Sequence, residues 1–117
     1  MTPGEIYELK RKNFIEKTQK NFEFLVSEFG FSEPEHIISK QPNGVIIQDK
    51  FDYKQNDKTI SILNAYHPVD YGFEINLLEK ESGSSEMLRT VLNEDPDIEQ
   101  NYLYAASEFL KTILNKG

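Results

Sequence analysis

The chain has 117 residues, 20 acidic and 13 basic side chains, a net charge of −7 and no cysteine. One domain of ordinary soluble composition is expected over residues 1–117. Disulfides, cysteine-ligated metals and thiol chemistry are excluded, and the acidity disfavours nucleic acid, whose phosphates select basic surfaces.

Residues 2–29 carry the spacing of a long helix. Thr2-Pro3-Gly4-Glu5 supplies an N-cap, a proline at the first helical position and a glutamate three residues after the cap. Tyr7, Phe14, Thr18, Phe22, Leu25 and Phe29 then form a core-facing stripe, which Ile15 and Val26 widen. Phe24 and Ile6 fall on a second face. Gly30 is placed to end the helix in a left-handed conformation.

Between Phe31 and Asn43 only His36-Ile37-Ile38 reads as a strand, a short one at an edge, and Asn43-Gly44 signals a turn. A meander follows. Val45, Ile47, Phe51 and Tyr53 share one face, which Asp49 interrupts. Gln55–Lys58 is a polar hairpin loop. Ile60, Ile62 and Tyr66 continue the apolar face around Asn64, and Phe73, Ile75 and Leu77 complete it. Gln48, Lys50, Asp52, Ser61, Glu74 and Asn76 lie on the polar side, the pattern of a sheet with helices on one face.

Lys80–Ser85 reads as a loop, and Glu86–Leu92 as a short helix burying Met87, Leu88 and Val91. Asp95-Pro96-Asp97 opens the last helix, whose stripe is Ile98, Tyr102, Ala105, Ala106, Phe109 and Ile113, with Leu110 at its margin. The expected fold is α+β: an antiparallel meander of three or four strands, packed on one face by an N-terminal and a C-terminal helix.

No motif specifies catalysis. His67 lies near Asp70 and Tyr71 in sequence, a base and an orienter without a nucleophile. The carboxylates show neither calcium-loop spacing nor room for a sugar cleft. The chain is therefore expected not to be an enzyme and to need no cofactor or metal. It shows no positive leader before an apolar run and no membrane-length apolar segment, so the cytoplasm is the expected location and no membrane partner is foreseen.

The acidity is uneven: residues 1–58 carry ten acids and nine bases, residues 59–117 ten acids and four bases. Tyrosines suit protein interfaces because one ring offers area and a polar tip. The candidate partner-binding residues are accordingly Tyr66, His67, Asp70, Tyr71, Glu74, Glu94, Asp97 and Tyr104.

The segment Phe22–Phe31, of the form Phe-x-Phe-Leu-x-x-Glu-Phe-Gly-Phe, and the helix–meander–helix order resemble the small immunity-type proteins of bacterial polymorphic toxin systems. The resemblance implies a cytoplasmic, non-enzymatic protein that neutralises a cognate toxin by binding it; a monomer or homodimer is expected. A basic toxin domain is the implied partner. The alternatives are a self-associating structural or adaptor protein and a small-molecule-binding domain.

Overall fold

The computed structural model describes residues 2–66, 72–91 and 102–116. Its elements are α1 (Pro3–Asn21), α2 (Phe24–Ser27), β1 (Glu35–Lys40), β2 (Ile46–Gln55), β3 (Lys58–Ala65), β4 (Gly72–Glu79), β5 (Ser84–Val91) and α3 (Tyr102–Lys116). The five strands form one antiparallel sheet in the order β1-β2-β3-β4-β5. The α+β class is as expected, with one strand more than the upper count.

Helix α1 starts as its sequence dictates. The Thr2 hydroxyl accepts from the Glu5 backbone N–H at 3.2 Å and donates to the Glu5 carboxylate at 3.1 Å. The helix does not run on to residue 29. It stops at Asn21 and restarts as α2 after Phe22 and Glu23. A straight helix would set Phe24 some 200° away from Phe22. The break brings Phe24 round to lie 6.2 Å from the Phe22 ring and 5.8 Å from the Phe29 ring. Gly30 follows with φ +77°, and the loop beyond is pinned to β2 by Gln55 Nε2 donating to the Phe29 carbonyl at 2.6 Å.

The sheet alternates as its period of two requires. Phe51 and Tyr53 of β2, Ile60 and Ile62 of β3, and Phe73 and Ile75 of β4 are buried on one face. Phe14 of α1 packs on Phe51 and Phe73. Leu103, Ala106 and Leu110 of α3 join the same core. The buried stripe of α3 is thus rotated from the expected one: Ala105 and Phe109 are on the exposed side, while Leu103 and Leu110 point inward.

The short helix expected over Glu86–Leu92 is instead strand β5. Gly83, at φ +68°, lets the chain reverse tightly after β4, and the open backbone edge of β4 then takes up the returning segment. The register slips between Ile75 and Asn76. Met87 accordingly faces outward, at 53% exposure, while Leu88 packs against the core. The expected start of α3 at Asp95-Pro96-Asp97 lies outside the described residues.

Candidate functional site

Asp49 interrupts the apolar face of β2, and around it the fold assembles a polar cluster from three elements. Its carboxylate is 0% exposed. Arg11 reaches down from α1, one turn beyond Tyr7, and donates from Nε to Oδ2 at 2.7 Å and from Nη2 to Oδ1 at 3.1 Å. His36 Nε2 approaches Oδ1 at 2.8 Å from β1. Tyr66, just past β3, donates its hydroxyl to Oδ2 at 2.9 Å. Each oxygen therefore has two partners, which fills the lone-pair sites of a carboxylate. The register explains the convergence. Ile38 stands opposite Asp49, so His36, two residues earlier, lies over Phe51, with ring centroids 4.4 Å apart and planes 15° from parallel.

The neighbours respond to this charge. Burial pushes the Tyr66 phenol well above its ordinary 10.0, and the charge and hydrogen bond of Asp49 add to the rise. Tyr7 is raised chiefly by burial, against the opposing charge of Arg11. For Arg11 burial disfavours the cation, but the hydrogen bond and charge of Asp49 outweigh it and hold the guanidinium more firmly charged. Tyr7 also donates its hydroxyl to the Ile46 carbonyl and meets the Tyr66 ring edge-on at 5.5 Å. A carboxylate so saturated is a clasp between α1, β1 and the end of β3. It has no lone pair left for general-base work.

The opposite face of the sheet differs in kind. Ile37, Lys50, Leu63 and Glu74 form one cross-strand row, and Asp52, Ser61, Asn76 and Met87 the next. Ser61 donates to Asp52 at 2.6 Å, and Lys50 lies 3.9 Å from Asp52. Leu78 and Met87 are diagonal neighbours on this face, 39% and 53% exposed. Among the described residues no helix packs there: the ring contacts of α1 and α3 with the sheet all fall on the other side.

The sequence-derived candidates do not gather in one place. Tyr66 is 3% exposed and turned into the Asp49 clasp, so it offers no rim for a partner. Its place after β3, in phase with Ile60 and Ile62, sets that direction. Glu74 lies half-buried on the polar sheet face, and Tyr104 is 65% exposed on α3. His67, Asp70, Tyr71, Glu94 and Asp97 lie outside the described residues. Arg11, His36 and Asp49 were not among the candidates. The signal that pointed to them was an aspartate on an otherwise apolar stripe, which requires buried partners.

Among the described residues no group of three or more His, Asp and Glu side chains has a metal-holding arrangement. No helix of the described residues is long and apolar enough to cross a membrane. Comparison with known protein families, curated proteins and solved structures finds no match. The fold and its polar clasp therefore define an α+β sheet protein, and the functional reading rests on the chain itself.

Proposed function

We propose that the chain is a non-enzymatic protein-binding module of the immunity type, which neutralises a basic bacterial toxin domain by covering it with the polar face of its sheet. The observation that carries this reading is the pair Leu78 and Met87, exposed side by side on a sheet face that no described helix covers. Large apolar side chains flanked by Thr59, Asn76 and Ser85, on a face that also carries Glu74, Lys50 and Asp52, give the mixture of apolar contact and polar surround typical of protein interfaces. The net charge of −7 favours a basic partner and would speed encounter at low salt. The saturated Asp49 supports a binding role over a catalytic one.

The reading is tested with the tagged full-length chain as bait in extracts of its native organism. The expected result is one basic protein, released by raised salt, whose toxicity in a growth assay the purified chain abolishes. Capture of no heterologous protein, or of one whose activity the chain leaves unchanged, would count against it.

A further inference from the structure

A second surface feature lies beside the Asp49 clasp. The N-terminal half of α1 and the start of β2 enclose an open concavity of about 540 Å³, lined by Tyr7, Glu8, Arg11, Lys12, Ile15, Glu16 and Ile46. That size falls within the usual range for small-molecule sites. Its walls are unequal. Tyr7, Ile15 and Ile46 supply apolar surface, with Tyr7 fixed by its hydrogen bond to the Ile46 carbonyl and its contact with Tyr66.

Arg11 supplies the polar group. Asp49 takes Nε and Nη2, so the plane of the guanidinium is set by a fully buried carboxylate. A guanidinium has five N–H donors, and two suffice for Asp49. Nη1 has no hydrogen bond within the described residues, and the side chain keeps 23% of its surface exposed. Asp49 offsets the charge of Arg11 but leaves that donating edge without a partner among the described residues. Lys12, on the rim, stands at i+4 from Glu8 and i−4 from Glu16, the spacing at which helix charges answer one another. A donor edge held in a fixed plane, without a partner among the described residues, stands beside the apolar surface of Tyr7, Ile15 and Ile46; Lys12 is matched by Glu8 and Glu16 on the same walls, so the Arg11 edge is the group left to take a carboxylate on an apolar body.

We propose that this concavity binds small amphiphilic monocarboxylates, the carboxylate on the Nη1 edge of Arg11 and the apolar body against Tyr7, Ile15 and Ile46. The site is independent of the polar sheet face and does not require the protein-binding reading.

The test uses the full chain with octanoate and octanol as probes, followed by calorimetry and by amide and methyl NMR shifts. Octanoate should bind saturably, at least about tenfold more tightly than octanol, the difference charge-assisted hydrogen bonds supply. Its shifts should centre on Tyr7, Arg11, Ile15 and Ile46. Ile46→Trp, which fills the concavity, should remove binding. The NMR mapping on the unaltered chain decides the matter even if that variant folds poorly. Absence of saturable binding, equal affinity for octanol, or shifts centred elsewhere would overturn the proposal.

Discussion

Asp49 ties three elements together, because it meets side chains from α1, β1 and the end of β3 at once. Breaking a fully buried ion pair costs roughly 3–5 kcal/mol; here Arg11 keeps contact with water, so Asp49→Asn is expected to cost about 2–3 kcal/mol in urea unfolding. The tyrosines separate two cases. Tyr66→Phe removes a made hydrogen bond to a charged group and should cost about 1.5–3 kcal/mol. The hydroxyl of Tyr53 is buried without a partner among the described residues, so Tyr53→Phe should be neutral or stabilising in the same assay. Both phenols are raised above 10.0 in the fold, Tyr53 by burial and the charge of Glu33, Tyr66 by burial and Asp49. The folded state therefore favours the neutral phenol. That stabilisation is fully present below pH 10 and is lost as the pH climbs above it. The urea midpoint should fall above pH 10, and tyrosinate absorbance from these rings should appear together with unfolding. Titration of every tyrosine in the folded state near pH 10 would contradict the burial described.

At the scale of elements, β5 shows where local pattern and tertiary context part. Met87, Leu88 and Val91 have helical spacing, and KESGSS looks like a loop. The open edge of β4 offers the same residues strand pairing on both sides of a register slip near Asn76, and that slip lets Leu88 turn inward while Met87 stays out. Leu88→Ala should accordingly cost about 1–2 kcal/mol, less than a fully buried leucine, while Met87→Ala should stay within about 0.5 kcal/mol. Equal costs would speak for a helix burying both. The N-terminal cap, the Asn43-Gly44 turn and the hairpin at Gln55–Lys58 were legible because each is fixed by adjacent residues, although Gln55 and Lys58 prove to be paired strand residues and only Asn56-Asp57 form the loop. The break after Asn21 was not, because its reason is the gathering of three phenylalanine rings. The Asp49 clasp was visible only as a polar residue on an apolar stripe. Its partners stand 38, 13 and 17 residues away: strand register brings His36 and Tyr66 to it, and the packing of α1 on the sheet brings Arg11.

At the scale of the molecule, the two faces of the sheet divide the work. One is consumed by packing: Phe14, Phe51, Phe73, Leu103 and Leu110 are fully or almost fully buried between sheet and helices. Both edge strands depart from a flat, regular ladder, β1 with a slip near Lys40 and β5 near Leu88, which discourages edge-to-edge pairing of copies. The polar face carries no described helix, Leu78 and Met87 are its largest exposed apolar side chains, and under the proposed reading it is the surface that receives the partner. The most direct measurement compares partner capture by the unaltered chain with capture by the double variant Leu78→Lys, Met87→Lys, after thermal melting shows the two equally folded, with Tyr104→Ala on α3 as the control. The account predicts that the double variant loses the partner and the control keeps it. Capture undiminished in the double variant would contradict the assignment of this face.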